Sequence, residues 1–294
     1  MPTLLCLGLG YCARYYVAEF GGRFDRVVGT SRTPKSAGKV EMLEFDGGGA
    51  ASDAVRAAAR AATHLLISAA PGDFGDPILA ALGDDIAEAK RLSRVVYLSS
   101  LGVYGDHNGK WVDETATTIP AHERGGARLR AEQAWQRLGR ERRIPVAVLR
   151  LAGIYGPGQN VFTRLLAGRA HRVAKPGHVF NRIHVLDIAQ TVDLSFALAA
   201  DGIFNVTDDE PAAYSDQVLL AARLLGVEPP PELSMAEAQQ VMTPMAFSFY
   251  AGCVRVKNDK LKRALGVKLR YPTYREGLAK LIQDGYTPRD PLAG

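Results

Sequence analysis

The chain has 294 residues, of which 47% are hydrophobic and 23% are charged. This composition is typical of soluble globular proteins and excludes disordered, collagen-like and coiled-coil chains. The net charge of +5 is too small to indicate a nucleic-acid partner, and no apolar run is long enough to span a membrane. Three scattered cysteines fit neither a disulfide framework nor a metal site, so we predict a cytoplasmic protein without a metal.

Apolar segments alternate with helical patterns through the first half of the chain. The predicted strands are Thr3–Leu9, Arg26–Ser31, Val40–Asp46, His64–Ala69, Arg94–Ser99 and Pro145–Leu151. The predicted helices are Cys12–Phe20, Ala50–Ala62, Asp84–Leu92 and Glu123–Leu138. This alternation predicts a doubly wound α/β fold, in which a parallel sheet is covered by helices on both faces.

The pattern changes after Gly156. Three further helical segments, Val161–Ala167, Ile188–Ala200 and Ser215–Leu225, are separated by short strands. We therefore predict a first domain at residues 1–156. A smaller α/β domain at residues 157–294 is expected to return segments to the first sheet and to pack over its carboxyl edge, where open α/β sheets bind ligands.

The first predicted strand runs into a glycine loop and then a helix. Gly8, Gly10 and Ala13 match the G-x-G-x-x-G/A pattern, and Tyr11 and Cys12 lie between them. Gly8 permits the tight turn, Gly10 admits a pyrophosphate and Ala13 allows close packing of helix and strand. This loop predicts a Rossmann-type dinucleotide site, with the phosphates at the helix N-terminus.

The residues after the second strand indicate which dinucleotide binds. An acidic residue there would bind the ribose 2′-hydroxyl of NAD, but this chain has Ser31 and Arg32. A guanidinium suits a 2′-phosphate, so we predict NADP, with NAD as the alternative. Asp46 is predicted either to contact the adenine or to cap the next helix, and Ala69 and Ala70 are predicted to line the same groove.

Several further strings resemble the extended short-chain dehydrogenase/reductase family of nucleotide-sugar epimerases and dehydratases. They are Tyr97–Asp106, Leu149–Gly158, Arg182–Ala189, Phe204–Asp208 and Asp259–Gly266. The resemblance spans nearly the whole chain. It implies a Rossmann domain that binds NAD(P) and a smaller C-terminal substrate domain.

In that family a serine or threonine acts with a tyrosine and a lysine spaced Y-x-x-x-K on a helix. Ser100 matches the serine. Aligning Ala131–Glu132 with the family's A-E pair places Arg128 at the lysine position and Arg124 at the tyrosine position, and no tyrosine occurs between Tyr104 and Tyr155. The chain therefore resembles an atypical member. Its two arginines cannot exchange protons near neutral pH, but they can bind anions.

Two details of this helix qualify the alignment. Gly125 and Gly126 disfavour helix and predict a frayed first turn, and a surface helix with solvated arginines is the alternative to an anion site. Members of the family often pair through this helix. We therefore expect a homodimer to which Trp135 and Leu138 contribute, unless both side chains are buried within one chain.

The stretch from residue 142 to 186 contains no acidic residue but many arginines and histidines. It predicts an anionic or polyhydroxylated small-molecule substrate, whereas a solvated basic face is the alternative. The predicted substrate contacts are Tyr155, Arg164, Arg172, Asn181, Arg182 and His184.

Two functions are compatible with these patterns. The first is an NADP-dependent oxidoreductase, epimerase or dehydratase in which Ser100 polarises the substrate and Tyr104, Tyr155 or His184 supplies the proton. The second is a non-catalytic NADP(H)-binding sensor or scaffold. Neither the G-x-S-x-G motif nor H-E-x-x-H is present to indicate another chemistry.

Overall fold

The computed structural model describes residues 1–72 and 75–292. The strands are β1 (Thr3–Leu7), β2 (Arg26–Ser31), β3 (Glu41–Glu44), β4 (His64–Ile67), β5 (Arg94–Ser100), β6 (Trp111–Val112), β7 (Val146–Leu151), β8 (Gly153–Tyr155), β9 (Arg172–Val173), β10 (Arg182–His184), β11 (Gly202–Val206), β12 (Glu232–Leu233) and β13 (Arg255–Val256). The α-helices are α1 (Tyr11–Phe20), α2 (Asp53–Ala61), α3 (Pro77–Glu88), α4 (Glu123–Arg142), α5 (Val161–Leu166), α6 (Val185–Ala197), α7 (Tyr214–Leu225), α8 (Met235–Val241), α9 (Pro244–Ser248), α10 (Asp259–Leu265) and α11 (Tyr274–Asp284).

Seven parallel strands form the central sheet in the order β11-β7-β5-β4-β1-β2-β3. The inner strands are apolar and buried on both faces, because α1 and α6 pack on one side while α2, α3 and α4 pack on the other. The predicted Rossmann-type fold is confirmed. The strand order reverses between β1 and β4, and the crevice at such a reversal is where doubly wound sheets bind nucleotides.

The predicted elements of the first half exist, with most ends shifted by a few residues, but one helix is displaced further. The helix expected at Asp84–Leu92 begins at Pro77 and ends at Glu88. Asp76 caps it by accepting hydrogen bonds from the backbone N–H groups of Ile78 and Leu79, and Pro77 occupies the first turn. An aspartate followed by proline is a start signal that the prediction passed over, since it follows a glycine-rich stretch.

The second half of the chain adds one strand to the central sheet and builds a smaller layer beside it. Strand β11 pairs in parallel with β7 at the sheet edge. The short strands pair as β8 with β10, β9 with β12 and β6 with β13, and helices α5, α7 and α11 enclose a separate apolar cluster. This layer lies beside the carboxyl end of β7, because β8 follows that strand after one residue.

The segment after α11 crosses back to the first helix. The backbone oxygen of Tyr286 accepts hydrogen bonds from the Gly158 N–H and the Asn160 side chain, and Asp290 pairs with Arg14 on α1. The two halves are thus joined by several polar contacts. Among the helices in the described ranges, none combines the length and the apolar character that a membrane crossing requires.

Candidate functional site

The glycine loop has the geometry that a pyrophosphate site requires. Gly8 has φ +88°, and a Cβ atom there would lie 2.8 Å from the backbone nitrogen of Ala69. The Gly10 N–H donates to the Gly8 oxygen at 2.8 Å, and α1 begins at the next residue, Tyr11. The first N–H groups of α1 therefore point out of the turn toward the carboxyl edge, as a phosphate ligand needs.

Two residues of β2 support this loop, and sequence reasoning assigned no role to either. The Thr30 hydroxyl is buried and accepts a hydrogen bond from the Gly8 N–H at 2.9 Å. A side chain on Gly29 would meet Leu9 at 2.9 Å, so the glycine lets the loop cross the strand. The sequence signal for both roles is a glycine and a hydroxyl residue within an otherwise apolar strand. Its meaning becomes clear only once the glycine loop is seen to lie against these two residues.

The remaining predicted cofactor residues lie around the same edge. Cys12 and Ala13 are buried residues in the first turn of α1, while Ala70 is exposed just after β4. The Ser31 hydroxyl accepts a hydrogen bond from the Thr33 N–H at 3.1 Å, and Arg32 is exposed. The Ser31 side chain thus closes a short turn at the end of β2, and the Arg32 side chain beside it is exposed to solvent.

Asp46 does not cap the next helix. Its Oδ1 accepts a hydrogen bond from the Gly48 N–H at 2.8 Å, and Ser52 caps α2 instead. The helix-cap interpretation of Asp46 is therefore wrong, because the aspartate closes a local turn six residues before the helix. Its contact with an adenine stays a prediction.

Ser100 and helix α4 are brought together by a close backbone approach. Ser100 ends β5, and its Oγ accepts a hydrogen bond from the Gly102 N–H at 3.1 Å. A Cβ on Gly125 would lie 2.8 Å from the Gly102 oxygen, so only glycine lets α4 lie this near. The prediction of a frayed first turn is wrong, since α4 begins at Glu123 and both glycines are helical.

The two arginines of α4 have different surroundings. Arg128 is half-buried, donates to the Leu98 oxygen at 2.8 Å and lies over the Tyr97 ring. Arg124, one turn earlier on the same face, is exposed and has no hydrogen-bonded partner among residues 1–72 and 75–292. A fixed guanidinium and a free one therefore lie beside the Ser100 turn, and together they favour an anion there.

Tyr104 lies inside the protein rather than in the cleft. Its ring is fully buried, and its hydroxyl donates to Asn205 Oδ1 at 2.8 Å. Burial raises the pKa of this phenol above its ordinary value, and the nearby Arg150 guanidinium only partly opposes that effect. A proton-transfer phenol needs access to the substrate and a lowered pKa, and Tyr104 has neither.

The other two candidate proton donors are buried as well. The His184 ring lies between the rings of Tyr155 and Tyr271, and burial lowers its pKa to about 3, assisted by the charges of Arg270 and Arg289. Tyr155 packs against Gly277, where a Cβ would come within 2.0 Å of the phenol oxygen, and burial raises its pKa. Neither group has the near-neutral pKa of a general acid or base.

The basic stretch between residues 142 and 186 is largely bonded to protein groups. Arg182 is buried and donates to Gln217 and to backbone oxygens, and Arg172 donates to the Pro230 oxygen. The Asn181 side chain bridges the backbones of Val254 and Val256, whereas Arg164 is exposed on α5. The predicted substrate residues thus lie on several elements, and Arg172, Asn181 and Arg182 are hydrogen-bonded to protein groups.

A buried ion pair lies directly behind Ser100, and sequence reasoning assigned it no role. Glu132 of α4 and Arg150 of β7 are 1% and 2% exposed and approach to 2.8 Å. In the sequence, Glu132 is only part of the A-E pair that aligns the helix, and Arg150 is one of many basic residues between positions 142 and 186. Because the two residues are 18 positions apart, their pairing depends on the packing of α4 on the sheet.

The comparison with protein families agrees with this geometry. The model of the NAD dependent epimerase/dehydratase family matches residues 50–206. The chain belongs to this family. The matched segment includes Ser100, Arg124 and Arg128.

Known relatives share either part of the sequence or the fold. The 3-diazoavenalumate denitrifying reductase of a Streptomyces species is 30% identical to this chain over 160 residues. The match covers 52% of this chain and 53% of the reductase, so the chain spans about half the length of that relative. A functionally unknown conserved protein from Silicibacter pomeroyi superimposes with a TM-score of 0.85 and 44% identity, over 98% of this chain and 100% of that one. MoeE5 in complex with UDP-glucose and NAD has the same fold, with a TM-score of 0.76, 22% identity and coverage of 96% and 97%.

Proposed function

We propose that this chain is an NADP-dependent oxidoreductase that acts on an anionic small molecule without a catalytic tyrosine. The observation that supports the proposal is the close contact of Gly125 with Gly102, because Gly125 lies on α4 between Arg124 and Arg128 and Gly102 belongs to the Ser100 turn. The family and the name of the Streptomyces reductase support redox chemistry. In this proposal the chain is an atypical short-chain dehydrogenase/reductase.

The residues of the carboxyl edge fit a dinucleotide. The backbone from Gly8 to Tyr11 would hold the pyrophosphate, because a Cβ at Gly8 has no room and the N–H groups of α1 begin there. Arg32 would pair with the 2′-phosphate that distinguishes NADP from NAD. When bound, the dinucleotide supplies or accepts a hydride.

The side chains opposite the glycine loop bind and orient in this proposal. Arg124 and Arg128 would hold a carboxylate or phosphate of the substrate through charge-assisted hydrogen bonds. The Ser100 hydroxyl would hydrogen-bond to a substrate oxygen. Since Tyr104, Tyr155 and His184 are buried, the chain offers none of these three groups for proton transfer.

A ligand screen followed by a redox measurement tests this function. Thermal unfolding is measured with NADP and with malonate, inorganic phosphate or UDP-glucose, since a ligand at 100 times its Kd stabilises by about 2.7 kcal/mol. Anionic compounds should raise the unfolding temperature. An anionic compound that also carries a hydride acceptor, such as a ketone, should lower the nicotinamide absorbance when the reduced cofactor is present. Stabilisation by neutral, apolar compounds alone would contradict the proposal.

A non-catalytic NADP(H)-binding sensor is the second candidate. The burial of all three expected proton donors favours it, because a sensor needs ligand binding and no acid or base. It predicts that every tight ligand leaves the reduced nicotinamide unchanged and yields no product. Product analysis separates this outcome from a redox-neutral epimerase or dehydratase, which would return the hydride.

The predicted location and assembly accompany this function. A cytoplasmic protein that acts without membrane or nucleic acid is proposed from the cysteine usage and the charge. A homodimer through α4 is also proposed, but without a contact by Trp135, which is fully buried and donates to Asp76 Oδ2 at 3.0 Å. The partly buried Leu138 would contribute to that interface.

A further inference from the structure

The ion pair of Glu132 and Arg150 binds three elements together. Arg150 donates to the Glu132 carboxylate through Nε at 3.1 and 3.2 Å and through Nη2 at 2.8 Å. The Ser99 hydroxyl donates to the same carboxylate. One carboxylate of α4 therefore accepts hydrogen bonds from β5 and from β7, in a place where solvent cannot compete.

Each partner of this ion pair adjoins a residue of the proposed anion site. Ser99 precedes Ser100 and is the register partner of Arg150 across β5 and β7. Glu132 lies one helical turn after Arg128, on the face of α4 that also carries Arg124. The pair thus connects both walls of the proposed site, although it contacts no substrate itself.

The pair also continues into the floor beneath the site. The Arg150 guanidinium lies 4.8 Å from the Tyr104 ring centroid. The Tyr104 hydroxyl donates to Asn205 of β11, whose N–H donates to Glu114. Strands β5, β7 and β11 and the loop that carries Tyr104 are therefore linked to α4 by hydrogen bonds and by the cation–π contact between Arg150 and Tyr104.

Stability alone does not explain a buried pair of this kind. Removing two charges from water is costly, and replacing a buried pair by apolar side chains of similar volume is often neutral or stabilising. An apolar pair makes no directional contacts. A bidentate guanidinium, in contrast, fixes both the distance between the two side chains and their relative orientation. A rotation of α4 by one residue would turn Arg124 by about 100° around the helix axis.

We propose that Glu132 and Arg150 are positioning residues that fix the rotation of α4 relative to β5 and thereby set the spacing between Ser100 and the two arginines, Arg124 and Arg128. The inference rests on the proposed function, because it concerns the same anion site. It assigns Ser99, Glu132 and Arg150 a role in substrate binding that needs no contact with the substrate.

The test replaces the pair without leaving a buried charge. The double variant Glu132→Leu/Arg150→Met is compared with the parent protein and with Glu141→Gln, a control at the exposed end of the same helix. Thermal unfolding reports the fold, NADPH fluorescence reports the dinucleotide site, and calorimetric titration with malonate reports the anion site. If the pair serves only stability, a folded double variant should bind malonate as the parent does. If the pair positions the arginines, the folded double variant should bind malonate more weakly.

The expected result is a folded double variant whose NADPH Kd stays within threefold of the parent and whose malonate Kd rises at least tenfold. A folded double variant that binds malonate within threefold of the parent would overturn the inference. If the double variant does not fold, Ser99→Ala and Arg150→Lys decide by the same malonate criterion at unchanged unfolding temperature. Failure of the parent itself to bind malonate would refute the proposed anion site, and this inference with it.

Discussion

The glycine-loop side and the arginine side of the cleft are built in different ways. At the glycine loop, backbone atoms form the proposed site, and Gly8 is required because a Cβ there would lie 2.8 Å from the Ala69 nitrogen. At the arginine side, side chains form the site, and Arg128 is held by the Leu98 oxygen while Ser99 is held by Glu132. The first site is encoded within a few consecutive residues, and the second depends on packing across the sheet.

This difference teaches that dinucleotide binding and substrate binding can be disturbed separately. A backbone site is sensitive to added atoms, since a glycine at positive φ accepts no side chain without strain. A side-chain site is sensitive to lost charges and altered angles. Three variants, ordered by the size of their expected effect on ligand binding, test this separation, and a fourth tests the burial of His184.

Gly8→Ala should weaken NADPH binding by about 100-fold, because strain at a positive φ costs about 1–3 kcal/mol and the new Cβ meets the Ala69 nitrogen at 2.8 Å. Fluorescence titration with NADPH measures the effect. The control is Gly22→Ala, where a Cβ meets no atom within 4 Å. Equal losses in the two variants would remove the distinction between the loop and an ordinary glycine.

Arg124→Ala should weaken malonate binding by about 10- to 100-fold, since hydrogen bonds to charged groups contribute about 1.5–3 kcal/mol. NADPH binding should stay within threefold. Titration calorimetry measures both, and Arg137→Ala on the exposed part of the same helix is the matched control. Malonate binding that survives Arg124→Ala but not Arg137→Ala would place the anion on another face of α4.

Arg32→Ala should weaken NADPH binding by about tenfold and leave NADH binding unchanged, because one exposed charge-assisted bond to the 2′-phosphate is lost. Parallel fluorescence titrations with the two cofactors measure the ratio. Lys39→Ala, an exposed residue of the same loop, is the control. A parent protein that binds NADH as tightly as NADPH would show that the turn after β2 does not discriminate.

His184 should make stability depend on pH below its ordinary pKa. Burial lowers the pKa of the folded residue to about 3, so between pH 6.5 and that value only the unfolded chain binds the proton. The free energy of unfolding should therefore fall by up to about 1.4 kcal/mol for each pH unit below 6.5. Above pH 6.5 the imidazole is neutral in both states, so the stability conferred by burying neutral His184 is fully present there.

Urea unfolding at several pH values, compared between the parent and His184→Gln, isolates this contribution because other groups titrate equally in both. His122→Gln, which alters an exposed histidine, is the control. Parallel curves for the parent and His184→Gln would mean that the imidazole accepts a proton in the folded state. Such a result would restore His184 as a candidate proton donor at the substrate side.

The elements and the dinucleotide site followed from local patterns. Continuous apolar runs mark strands buried on both faces, and β2 has the predicted limits. The glycine loop needs particular residues at fixed spacing because its turn is local. Helix α3 was misplaced because its start signal, Asp76 with Pro77, overlaps a loop pattern.

The role of each charged side chain, in contrast, did not follow from local patterns. Arg150 and Arg182 were counted as parts of a basic face, but one pairs with Glu132 and the other donates to Gln217 inside the protein. Tyr104 and His184 were candidates for proton transfer, but burial moves their pKa values away from neutrality. Charge and residue type are sequence properties, whereas partner and solvent exposure belong to the packed chain.

The sequence by itself determined the doubly wound sheet, the glycine loop and the absence of a tyrosine at position 124, because hydrophobic periodicity and backbone freedom act over short distances along the chain. Only the tertiary structure decided that Gly125 packs on Gly102, that Arg128 is fixed while Arg124 is free, and that Glu132 joins β5 to β7. Those contacts arise where α4 folds back on the sheet, and their energies depend on removal from water, which no local pattern specifies.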